Sequence, residues 1–164
     1  MPAIEFLRWL IVLSFCAVLT VAGICDIRER RIPNWAVLAV VILFLPWIVV
    51  GDVTILSAVG ACLIVFAGSI ALYMLGIVGA GDAKLISAVA LFVGFGRLGP
   101  FLILVALAGG LIALISLLSQ PARALALLHT RKLGDPGRGV PYGVAIAIGA
   151  IGQIALPWIR AALA

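Results

Sequence analysis

Two short stretches carry the acids that could do chemistry. "GICDIRERRIPNW", residues 23–35, holds Asp26, and "GIVGAGDAKLIS", residues 76–87, holds Asp82. Each acid borders an apolar run, where an ionised carboxylate is costly. Two carboxylates held close at an apolar boundary cannot both ionise easily, because repulsion and desolvation raise one apparent pKa. The pair then keeps one proton near neutral pH, and its titration belongs to both members. The ionised member draws a proton from water while the protonated one donates to a carbonyl or a leaving amine, the acid–base pattern of hydrolysis by a carboxylate pair. Gly79 and Gly81, lacking side chains, let another backbone come close to Asp82. Taken singly, each aspartate also reads as a boundary charge or a helix cap, and the glycines as a hinge.

The other four acids have local explanations. Glu5 precedes the first apolar run, and Asp52 sits in a short "GD" turn. Asp135 lies in the turn sequence "GDPG", and Glu29 is flanked by arginines. No His/Cys cluster has metal-ligand spacing, so neither a metal nor a cofactor is expected. Cys16, Cys25 and Cys62 are odd in number and form no CxxC, so no disulfide framework follows.

The elements that must position Asp26 and Asp82 are membrane helices. Of the 164 residues, 66% are hydrophobic and 10% charged, and mean hydropathy is +1.38. Soluble domains are about half apolar and about a quarter charged, and one of this size could not bury so much apolar surface. Crossing a hydrocarbon core of about 30 Å takes about 20 helical residues. Apolar runs at 6–25, 35–50, 55–75, 85–95, 101–118 and 140–159 predict about six spans, with Pro46 as a kink or stop in the second. The expected fold is all-α and polytopic, in a single membrane-embedded domain over 1–164. The first run has no basic stretch before it, so it reads as a retained span rather than a cleaved signal. The stretch "QPARALALLH" predicts a short interfacial helix.

Net charge is +5, but the basic residues lie in gaps between apolar runs rather than in a stripe, so no nucleic-acid partner is expected. Eight of them (Arg28, Arg30, Arg31, Lys84, Arg123, Arg131, Lys132 and Arg138) fall in the first, third and fifth gaps, against three (Arg8, Arg97 and Arg160) on the other side. Under the positive-inside bias the eight are cytoplasmic. Both aspartates then lie at the cytoplasmic boundary. Trp9, Trp35, Trp47 and Trp158 suit interface anchors, and His129 falls in the basic cytoplasmic stretch.

At these residues the chain resembles the type IV prepilin peptidases, membrane aspartyl proteases of the GxGD type. "GAGD" at 79–82 followed by Lys84 is similar to the family's GxGDxK signature, and "DIRERRIPN" at 26–34 to its other aspartate motif. "VPYGVAIAIG", at 140–149, looks like its late Pro-aromatic-Gly segment. The resemblance implies that Asp26 and Asp82 are the catalytic pair, with Gly79, Gly81, Lys84, Pro33, Asn34, Tyr142 and Gly143 supporting the site. It implies as partners the lipid bilayer and a prepilin or pilin-like precursor, whose leader is cut at the cytoplasmic face of a bacterial inner membrane. Larger members add a segment with paired CxxC motifs linked to N-methylation. This chain has none, and so looks like the small peptidase of Flp/Tad-type pilus systems. A small ion-coupled transporter or pilus assembly subunit also places acids in apolar surroundings, without explaining two motifs at one boundary. A presenilin-type protease shares GxGD but needs a longer chain and a Pro-Ala-Leu motif.

Overall fold

The structure, a computed structural model, describes residues 2–51, 53–118 and 142–163. The expectations for Asp52, His129, Asp135 and the short interfacial helix fall outside the described residues. Among the described residues six α-helices run in chain order: α1 Pro2–Glu29, α2 Asn34–Val50, α3 Ile55–Met74, α4 Ala80–Val93, α5 Leu98–Leu118 and α6 Tyr142–Leu163. No strand occurs among the described residues. A single 3-10 turn, Phe95–Arg97, joins α4 to α5.

The helix boundaries are set by local chemistry. Thr54 caps α3 by accepting the Ser57 N–H, the usual work of a Thr at that position. At its other end Gly76, at φ 71°, closes a Schellman turn. Its N–H reaches the Tyr73 carbonyl and the Ile77 N–H reaches that of Leu72. Pro33 precedes the first residue of α2, as its fixed φ and missing N–H suit. Pro46, expected as a kink or a stop, does not stop α2, which continues through it to Val50.

Two boundaries differ from expectation in a way that matters. Hydropathy alone puts both aspartates in the gaps between helices. Instead α1 runs past Cys25 to Glu29, and α4 begins at Ala80 rather than Leu85. Hydropathy marks where a helix leaves apolar surroundings, whereas backbone hydrogen bonding carries it further.

α1, α2, α4 and α6 form a closed ring of neighbours, with α3 packed on α4 and α5 on α6. Phe92 of α4 lies at the centre of an aromatic cluster, its ring centroid 4.4 Å from Phe15, 5.6 Å from Phe44 and 5.7 Å from Trp47. α5 and α6 approach closely at Gly149, where a Cβ would lie 2.6 Å from Val105 Cγ2. At the far end Arg8, the one charge in the first apolar run, donates to the Val50 carbonyl. Large apolar side chains such as Val49 and Leu56, each more than four-fifths exposed, cover the outside. Such an exterior suits lipid and would be insoluble in water.

Among the described residues three helices are long and apolar enough to cross a membrane, at Ala3–Glu29, Ile55–Met74 and Phe95–Ser116. The expected tally was about six. α2 has 17 residues and α4 has 14, so each falls short of a full crossing by its own length.

Candidate functional site

Because the helices alternate in direction, the C-terminus of α1 and the N-termini of α2, α4 and α6 share one end of the bundle. Asp26 lies in the last turn of α1 and Asp82 in the first turn of α4. The structure brings them together there: Asp82 feels the charge of Asp26 directly.

Asp26 is buried, at 6% exposure. Its Oδ2 accepts the Gly143 N–H at 2.8 Å, and the Val144 N–H lies near the same carboxylate. Both donors belong to the first turn of α6, whose N–H groups have no partner inside the helix. A Cβ on Gly143 would fall 2.9 Å from Asp26 Oδ2 and 3.1 Å from its Cγ. The charge of Arg30, just past the end of α1, also acts on Asp26.

Asp82 is held more sparsely. Its Oδ2 accepts the Gly79 N–H at 3.3 Å, which fits a carboxylate in a helix's first turn. Its Oδ1 is buried with no hydrogen-bond partner among the described residues. Asp82 precedes Leu85 and lies outside the three long spans. Burial first, then the charge of Asp26, pushes its pKa up from 3.8 to about 7, against the pull of the Gly79 N–H.

The supporting residues divide. Gly81 packs on the segment between α1 and α2, since a Cβ there would lie 3.2 Å from Ile32 Cβ. Lys84 donates from Nζ to Asn34 Oδ1 at 3.5 Å, a long bond that spans α4 and α2. Pro33 and Asn34 start α2 beside that contact. Tyr142 turns elsewhere. Its ring packs on α5, with Cε1 3.5 Å from where a Cβ on Gly109 would be.

Two serines in the apolar runs also serve this end of α4. Ser87 Oγ donates to the Ala83 carbonyl at 2.6 Å, and Ser69 Oγ of α3 reaches the same oxygen at 3.5 Å. Both are buried, and they fasten the turn that carries Asp82. Their only signal in the sequence is a hydroxyl inside an otherwise apolar stretch. Among the described residues no three His, Cys, Asp or Glu side chains gather as a metal-binding group would.

The arrangement is two carboxylates near one another, one anchored by a backbone amide and one with an unpartnered oxygen. A pair of that kind can share a proton and pass it to a bound carbonyl.

Residues 13–114, well over half the chain, match the model of the type IV leader peptidase family. No curated protein matches the chain significantly. No solved structure does so either.

Proposed function

This chain belongs to the type IV leader peptidase family, and from that premise we propose that it removes the leader of a prepilin or pilin-like precursor, with Asp26 and Asp82 as the catalytic pair. The family makes it a membrane protease; the pair, the substrate and the side of the membrane are our reading. One observation carries that reading. Asp26 and Asp82, far apart in sequence, converge at one end of the bundle, and the charge of one acts on the other.

The chemistry follows from a pair that holds one proton. The ionised carboxylate takes a proton from water as the water oxygen bonds to the scissile carbonyl carbon. The carbonyl oxygen, now carrying the displaced π electrons, receives the proton of the other carboxyl. Collapse of the tetrahedral intermediate breaks the C–N bond. The proton taken from water passes to the leaving amine, and the intermediate's hydroxyl proton returns to the pair.

The described helices sit in the bacterial inner membrane as part of one domain over residues 1–164, with α2 and α4 as short members of the bundle and Asp82 at the membrane boundary, ahead of the apolar run of α4. The end that carries the pair faces the cytoplasm, where the basic gaps concentrate. Lys84 and Asn34 brace α4 against α2. No CxxC segment accompanies the site, so the new amino terminus leaves unmethylated, as in the small Flp/Tad-type enzymes.

Asp26→Asn and Asp82→Asn test the assignment, since Asn keeps the shape and cannot titrate. Each variant, co-expressed with candidate pilin genes, should insert in the membrane yet give no leader removal by gel shift. Processing at near wild-type rate by either variant would remove that aspartate from the mechanism.

A further inference from the structure

The two aspartates are not held alike, and the difference assigns their roles. Asp26 accepts the Gly143 N–H, from the first turn of α6, at 2.8 Å. Asp82 accepts a single longer bond, at 3.3 Å, and its other oxygen is buried without a partner among the described residues. Backbone N–H groups can only donate, so they favour the acceptor-only, ionised carboxylate. A buried oxygen lacking any donor suits the protonated acid, whose O–H is free to meet a substrate oxygen.

We propose that the start of α6 holds Asp26 as the ionised member that takes the proton from water, leaving the shared proton on Asp82 for the carbonyl oxygen. Gly143 is then a positioning residue, acting through Asp26. Only a residue without a Cβ brings its N–H this close, because a Cβ would lie 2.9 Å from the oxygen it serves and 3.1 Å from the carboxyl carbon. Asp26 delivers its water-derived proton to the leaving amine, and Asp82 recovers its own from the intermediate's hydroxyl. The inference rests on the proposed peptidase pair and deepens it.

Among the described residues, α1 carries Arg28 and Glu29 beyond Asp26 and Arg30 just past its end, while Asp82 of α4 lies within reach of the Asp26 charge. Lys84 lies two residues beyond Asp82 and reaches Asn34. α2 carries no charged side chain, nor does α6 between Tyr142 and Ile154, where Tyr142 is the one titratable group. Among the described residues the Gly143 amide is the backbone donor bonded to the carboxylate, at 2.8 Å.

The test removes that donor alone. Replacing residue 143 by glycolic acid turns its amide into an ester and adds no Cβ, so it works even where Gly143→Ala fails to fold. In the full-length enzyme with a pilin substrate, kcat should fall about tenfold or more, with KM little changed. The acid limb of the pH–rate profile, set by the first ionisation of the pair, should move up by about one pH unit. The alkaline limb should hardly move.

Gly149→Ala is the structural comparison, with a tighter clash at Val105 on the same helix. It should lower thermal stability without shifting either limb. An ester variant with the wild-type rate and profile would overturn the proposal, as would a rate loss with no limb shift or an equal limb shift in Gly149→Ala. Asp26→Asn in the same assay separates the two levels. If it cleaves normally, the catalytic pair itself falls. If it is inactive while the ester variant is normal, only the role of Gly143 falls.

Discussion

The Asp82 carboxyl should make the folded protein weaker as pH rises, and removing its charge should reverse that. Its pKa stands near 7 in the fold against 3.8 for a free carboxyl. The folded state therefore binds the proton more tightly than the unfolded state, so stability falls with rising pH between those values. Below pH 4 both states are protonated and nothing is lost; above about 7 the full cost is present. Each tenfold gain in proton affinity is worth about 1.4 kcal/mol, so a gain of about a thousandfold sets a ceiling of about 4 kcal/mol. Asp82 is only partly buried, and solvent screening brings the expected cost to about 2 kcal/mol. Asp82→Asn carries no charge and escapes it. Thermal unfolding in detergent micelles should show the variant about as stable as wild type at pH 4.5 and more stable, by about 2 kcal/mol, at pH 8. Asp26→Asn should raise no new charge and leave Asp82 easier to ionise, because the charge of Asp26 is the second cause of its high pKa; the pH-dependent loss of stability should then be smaller than in wild type. A stability difference between Asp82→Asn and wild type that stays constant from pH 4.5 to 8 would refute the reasoning.

Three further outcomes are expected. Cleavage should survive strong chelators and give an unmodified amino terminus by mass spectrometry; loss with EDTA that zinc restores would count against a carboxylate mechanism. In a background lacking Cys16, Cys25 and Cys62, a cysteine at Arg31 should resist a membrane-impermeant thiol reagent in intact cells while one at Thr54 reacts, and the reverse pattern would turn the site away from the cytoplasm. Phe92→Ala should destabilise the bundle by about 3 kcal/mol in micelle unfolding, since Phe15, Phe44 and Trp47 all pack on that ring; a loss under about 1 kcal/mol would mean the cluster contributes little.

The helical class was legible because apolar runs separated by charged gaps leave few alternatives, while of the about six spans expected, three are long and apolar enough among the described residues. The approximate positions of Asp26 and Asp82 were legible too, from motif spacing and the charge bias. Their exact setting was not. Hydropathy ends the first run at Cys25 and starts the fourth at Leu85, which puts both acids in loops, whereas each is fixed on a helical turn. The bond from Gly143 to Asp26 could not be read, because it joins the two ends of the chain through packing that no local pattern encodes. Tyr142, its neighbour in the same motif, points to Gly109 instead, which shows how little a motif says about which of its members face one another.

With Asp82 in the catalytic pair proposed above, the shortness of α4 bears on the depth at which a peptide would be cut. The Phe95 N–H bonds to Ser57 Oγ, so the end of α4 is level with the start of α3. Ser69 of α3 is level with Ala83 of α4, where their hydrogen bond lies. α3 continues five residues past Ser69 to Met74, a rise of about 7 Å. Asp82, one residue nearer that end than Ala83, therefore lies about one turn inside the end of α3. On the proposed reading, a substrate that reaches Asp82 must pass below the end of α3 with a free carbonyl to offer, and in a helix the carbonyls are already bonded to their own chain. The peptide must be unwound at the cut, and water must follow it down.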